Sequence, residues 1–124
     1  MQSVLVPTDG SEASQRALRL ALQRAKGGKD SEVVIVNVQP DIASWQAHLV
    51  AQSLVDEHME RMSEFALASA RDIAASSGVS HRFVKVSGDP ASEIATVAGN
   101  QHATEIVMGT RGLGGIATLM LGSV

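Results

Sequence analysis

The chain reads as an α/β fold, a single doubly wound parallel sheet with helices on both faces, and three observations lead there. Short apolar, β-branched runs at residues 4–6, 32–38, 81–86 and 105–108 alternate with longer segments of helical periodicity. That alternation is the signature of parallel strands joined by right-handed crossovers. Turn-forming clusters follow the first and third runs, Pro7-Thr8-Asp9-Gly10-Ser11 and Ser87-Gly88-Asp89-Pro90. Finally, 124 residues with 44% apolar and 19% charged side chains suit one globular domain spanning residues 1–124.

Each element has a local reason. Val4-Leu5-Val6 is a short buried strand. Ser11 then stands as a helix N-cap with Glu12 in the first turn, and Ala17, Leu18, Ala21, Leu22 and Ala25 form the apolar stripe that follows. Gly27-Gly28 closes that helix. The second strand, EVVIVNV at residues 32–38, is nearly all apolar, as expected of a strand covered on both faces. Residues 40–77 keep approximate helical spacing, but one straight helix would span ~55 Å. A loop or short helical piece through Trp45 and a main helix from about Leu49 is the expected solution, ended by Ser76-Ser77-Gly78. HRFVKV at 81–86 alternates more clearly and belongs nearer an edge. Asp89 as N-cap and Pro90 at the first helical position start a helix whose buried face is Ile94, Ala95, Val97 and Ala98. The fourth strand is Glu105-Ile106-Val107-Met108.

Composition excludes several functions. A net charge of −3 and no local Lys/Arg cluster argue against nucleic acid, and Trp45, Phe65 and Phe83 are too few aromatics for a base-stacking platform along a single strand. The absence of cysteine removes disulfides, thiolate catalysis and Cys-type zinc sites. The N-terminus lacks signal-peptide regions and no apolar run reaches the ~20 residues of a membrane span. A cytoplasmic protein that binds neither membrane nor nucleic acid is expected. Glu57, His58, Glu60, Arg61 and Glu64 read as a charged helix face with i,i+4 pairs. Met59 and Met62 read as core filler. His48, His58, His81 and His102 form no metal-ligand pattern, and no nucleophile has a base beside it, so neither a protein metal site nor catalytic residues are assigned.

Chemistry concentrates after strands one and four. In open parallel sheets, ligands bind outside the carboxyl ends of the strands, where strand order reverses. Asp9 follows strand one and can accept hydrogen bonds from ribose hydroxyls, ligate a cation, or simply cap a turn with Gly10 and Ser11. After strand four, Gly109-Thr110-Arg111-Gly112 and Gly122-Ser123 have the spacing G-x2-G-x9-G-S. Glycines there let backbone amides approach a phosphate, with Ser123 adding a hydroxyl. A flexible loop before a helix is the plainer alternative. Neither G-x-x-x-x-G-K-[ST] nor G-x-G-x-x-G is present.

These residues resemble the universal stress protein family, in its ATP-binding branch. The likeness is carried by Val4-Leu5-Val6-Pro7-Thr8-Asp9-Gly10-Ser11, by Gly88-Asp89-Pro90-Ala91-Ser92-Glu93-Ile94, by Ile106-Val107-Met108-Gly109-Thr110-Arg111-Gly112 and by Gly122-Ser123-Val124. It implies a Rossmann-like, adenine nucleotide alpha hydrolase-like sheet of strand order 3-2-1-4-5. It further implies that Pro7, Thr8 and Asp9 border adenine and ribose, that Val38 offers backbone groups and an apolar surface to adenine, and that Met108 and Gly109 line the ribose. Gly112, Gly122, Ser123 and Val124 would bind phosphates bridged by Mg or Mn, and Arg111 lies within the same motif. The family continues with a further helix and a fifth strand that commonly builds a dimer. Here the fifth strand is expected to be missing and strand four to be an open edge.

The function expected is an ATP-binding stress-response regulator, a homodimer or higher oligomer, whose glycine-rich loop is ordered by nucleotide. Two other readings stay open. One is a ligand-independent interaction module pairing through strand four. The other is a slow ATPase or autokinase using Asp9 and a divalent ion to position water or Ser123.

Overall fold

A computed structural model of the chain describes residues 2–27, 31–40, 52–110 and 116–121. In chain order the elements are β1 (Gln2–Pro7), α1 (Glu12–Lys26), β2 (Ser31–Gln39), α2 (Gln52–Ser77), β3 (His81–Ser87), α3 (Pro90–Asn100), β4 (Glu105–Gly109) and β5 (Ile116–Met120). The sheet order is β3-β2-β1-β4-β5, as expected. β1 pairs parallel with β2 and β4, and β2 pairs parallel with β3.

Side chains alternate across the sheet and divide the core in two. Val4, Val6, Val33, Ile35 and Val107 face α1 and α2, where Ala17, Leu18, Ala21, Leu22, Leu67, Ala70 and Ala74 meet them. Leu5, Val34, Val36 and Ile106 face the other way, against Val97 and Ala98 of α3. The helices start where their caps dictate. Ser11 Oγ accepts from the Ser14 amide at 3.2 Å, and Asp89 accepts from the Ser92 amide at 3.0 Å. Within α3, Ala95 is exposed and not part of the buried face expected of it, because the sheet contact falls on Val97 and Ala98 with Ile94 partly buried.

α2 begins at Gln52, three residues later than the expected Leu49, while residues 41–51, Trp45 and His48 among them, lie outside the described residues. Its charged face pairs partly off the helix. Glu60 and Glu64 reach Lys85 on β3, and Glu64 also holds Arg71 at 2.9 Å. Arg71 lies over the Phe83 ring at 4.6 Å. Charged side chains of α2 thus pack with Lys85 and Phe83 on the helix-facing side of β3. Met62 is 43% exposed, so it is not core filler.

A fifth strand does lie beside β4, although it is not the strand that the resemblance places after a further helix. Residues 116–120, read from the sequence as part of a phosphate loop, pair antiparallel with β4 in register from Glu105↔Met120 to Gly109↔Ile116. Strand four is therefore not an open edge. The assembled sheet leaves a row of β4 amides and carbonyls on its outer side, and Ile-Ala-Thr-Leu-Met is short, uncharged and able to extend along it. Beyond it the Leu121 amide donates to Thr104 C=O at 2.8 Å. Among the described residues no helix is long and apolar enough to cross a membrane.

This layering sets an expected contrast in stability. Ile35→Ala, at a fully buried position, should lose about 2–5 kcal/mol in urea unfolding. Leu54→Ala, at a side chain that is mostly exposed, should stay within about 0.5 kcal/mol of wild type.

Candidate functional site

A crevice of about 680 Å³ opens at the carboxyl ends of β1, β2 and β4, within the usual size of small-molecule sites. Pro7, Thr8, Asp9, Val38, Met108 and Gly109 line it, so six of the sequence-predicted residues come together there. The other five, Arg111, Gly112, Gly122, Ser123 and Val124, lie outside the described residues.

The loop after β1 is held by a relay of hydroxyls. The Gly10 amide donates to Thr8 Oγ1 at 3.3 Å, Thr8 Oγ1 donates to Ser14 Oγ at 2.9 Å, and Ser14 Oγ donates to the Ser11 carbonyl at 2.9 Å. Such a chain of donors polarises and stiffens itself in a buried setting. Gly10 adopts φ +85°, and a Cβ there would come within 3.3 Å of the Ala66 backbone on α2. The loop therefore turns tightly beneath that helix. Asp9 projects from this frame into an exposed position, with its Oδ1 accepting from the Ser11 amide at 2.9 Å. The turn-capping reading of Asp9 is thus realised. The Ser11 hydroxyl, and then its amide, hold the Asp9 carboxyl below the ordinary carboxylate value. It is a stable anion and a weak base.

Asn37 is the residue that sequence reasoning missed. It is 1% exposed at the end of β2 and donates through Nδ2 to the Thr8 carbonyl at 2.9 Å. Its Oδ1 accepts from Ser63 Oγ of α2 and from Gln39 Nε2, each at 2.8 Å. The signal was there: Asn37 is the one polar residue inside V-V-I-V-N-V. A buried amide in such a run needs partners from elsewhere, and those partners were not legible.

β2 outruns β1. The β1–β2 ladder ends at Pro7↔Val36, whereas β2 stays paired with β3 as far as Gln39↔Ser87. The Val36 carbonyl accepts from the Thr8 amide, and the Gln39 carbonyl accepts from the Gly88 amide. Backbone direction alternates along a strand, so the amide and carbonyl of Val38 point to the side where β1 has ended, toward the crevice. On the far wall, Gly109 ends β4 against the first turn of α1. A Cβ on it would lie 2.4 Å from the Ala13 carbonyl carbon and oxygen. Glycine is required there by the backbone of the protein itself.

No lysine, arginine or histidine is among the described lining residues, and Asp9 is the one carboxylate. Nor do three His, Asp or Glu side chains gather among the described residues to hold a metal ion. The arrangement can bind through backbone groups, an anionic acceptor and an apolar wall.

The model of the universal stress protein family matches residues 1–124. A universal stress protein of Methanocaldococcus jannaschii is 34% identical over 131 residues, covering 99% of this chain and 72% of the relative. The chain belongs to the universal stress protein family. Among solved structures, a family protein of Burkholderia pseudomallei superposes with a TM-score of 0.69 at 26% identity, over 88% of this chain and 81% of its own. A family protein of Arabidopsis thaliana with AMP bound superposes with a TM-score of 0.65 at 19% identity, over 92% and 80% of the two chains.

Two outcomes follow from this geometry. Gly109→Ala should destabilise the universal stress protein fold by about 1–3 kcal/mol, seen as a lower urea midpoint, because Ala13 cannot retreat without moving α1. For Asp9 the folded pKa lies below the unfolded one, so its contribution exists above the unfolded value and is lost as pH falls through the folded value. Asp9→Asn should therefore be less stable than wild type at neutral pH, and the gap in melting temperature should close below the ordinary value of 3.8.

Proposed function

We propose that this universal stress protein is an ATP-binding regulator of the stress response that works by binding rather than by turnover. The observation that carries the reading is the crevice itself. An ionised Asp9 and the outward backbone of Val38 stand at the carboxyl ends of parallel strands, with no basic catalytic group among the described lining residues. Asp9 suits ribose hydroxyls, whose protons an anion accepts well. Val38 suits the hydrogen-bonding edge of adenine. AMP in the Arabidopsis thaliana relative supports the adenosine part of this reading.

The phosphates would be met by the residues of the G-x2-G-x9-G-S motif. With no lysine or arginine among the described lining residues, phosphate charge would be met by backbone amides and by Mg or Mn. A hard cation of this kind would be held chiefly by the phosphate oxygens themselves. The regulator acts by population shift: nucleotide must bind one arrangement of the glycine-rich segment more tightly than another. The setting is cytoplasmic and the working unit a homodimer or higher oligomer. An interaction module pairing on β4 loses its surface, since β5 occupies that edge. An ATPase is disfavoured because the hydrogen bonds that keep Asp9 ionised also make it a weak base.

Calorimetric titration with ATP and magnesium, and separately with AMP, tests the proposal. Wild type should bind both saturably. Asp9→Asn keeps the turn acceptor, removes the charge, and should weaken both about tenfold, or ~1.4 kcal/mol. Gly122→Val should weaken ATP more than AMP. Wild type that binds neither nucleotide, or that hydrolyses ATP over many turnovers at enzymatic rates, would overturn it.

A further inference from the structure

Five large apolar side chains are notably exposed among the described residues: Leu54, Met62, Phe65, Met108 and Leu119. Single exposed apolar residues are ordinary on a protein surface. Three of these five, however, line one crevice: Met62 and Phe65 from α2 and Met108 from the end of β4. Phe65 is the extreme case at 81% exposed.

Its placement is determined by its neighbours. Ser63 turns inward to donate to Asn37, and Ala66 turns inward against Gly10. Met62 and Phe65, three residues apart, therefore share the adjoining face of the helix over the crevice mouth. Glu64, between them, is drawn toward β3 by Lys85 and Arg71, so it does not cover the ring.

We infer that Phe65, flanked by Met62, is the surface on which the base of the bound nucleotide stacks, which makes α2 a specificity-determining wall of the site. The inference rests on the proposed nucleotide reading and adds a residue to it. The occupant of such a wall must bury a flat apolar face while satisfying an ionised carboxylate and the Val38 backbone. An acyl chain would bury Asp9 and those backbone groups without partners, at high cost. A nucleoside has a π-face for the phenyl ring, edge donors and acceptors for Val38, and ribose hydroxyls for Asp9. Stacking on an aromatic ring is tolerant of which base is present. Phe65 accordingly selects for a base as such, and the Val38 backbone selects among bases.

The test compares AMP with ribose 5-phosphate, which lacks the base, by calorimetry on wild type, Phe65→Ala, Phe65→Leu and Phe65→Trp. Phe65 is so exposed that all three variants should fold and melt as wild type does. Phe65→Ala and Phe65→Leu should lose about fivefold or more in AMP affinity, the scale of one lost base–aromatic stack. Their affinity for ribose 5-phosphate should not change, and Phe65→Trp should keep AMP at or above wild-type affinity. Equal AMP binding by wild type and Phe65→Ala overturns the inference and leaves the nucleotide reading standing. An equal loss for AMP and ribose 5-phosphate also overturns it, since that marks a distorted site. So does a changed sedimentation coefficient with unchanged AMP affinity, which would make this face a self-association surface. Failure of wild type to bind AMP removes the nucleotide reading and the inference together.

Discussion

The site depends on one buried amide. Asn37 stands where β2 has run past the end of β1 and is paired with β3 alone. Its hydrogen bonds to Thr8, Ser63 and Gln39 tie the β1–α1 loop, β2 and α2 to one point. Leaving any of those groups unpaired in a buried setting costs about 1–3 kcal/mol, so the three segments are strongly held to a common geometry. The crevice is the space this tie leaves open. Its floor is Thr8 and Val38, its anion is Asp9, and its apolar wall is the face of α2 that Ser63 orients.

The remainder of the fold supports that arrangement by exclusion of alternatives. Alternating side chains of β1 and β2 are buried on both faces, so a one-residue slip of register would put the wrong set against α1. At the other wall, Gly109 and the first turn of α1 meet backbone to backbone, which brings the end of β4 close to Ser11 and Asp9. The ends of β1 and β4 are neighbours because the two strands pair, and the glycine is what lets β4 approach the start of α1. The hydrogen-bonding groups of the described crevice are therefore in good part backbone, placed by packing.

Glycine spacing was legible as a motif but not as a structure. The stretch at 116–120 carries no charge and no helix-breaking residue, and a five-residue apolar run has no periodicity that separates strand from loop. Its pairing with β4 depends on an edge that exists only once the sheet has assembled. The exposure of Phe65 was likewise not legible from the helical spacing of residues 40–77. A helix reveals its apolar residues by spacing, yet which of them meet the sheet is decided by the angle at which it lies. α2 buries Ser63, Ala66, Leu67 and Ala70 instead.

By itself the sequence determined the parallel strands, the helices between them, the Ser11 and Asp89 caps, and the residues after β1, β2 and β4 that line the crevice. Those follow from local periodicity, backbone preference and the chemistry of short turns, which act within a few residues. Tertiary structure alone decided that β5 covers β4, that Asn37 joins three segments, that Val38 turns its backbone to an open crevice, and that Phe65 stands over it. Each of these depends on what lies across from a residue in space, and a chain read along its length does not contain that distance.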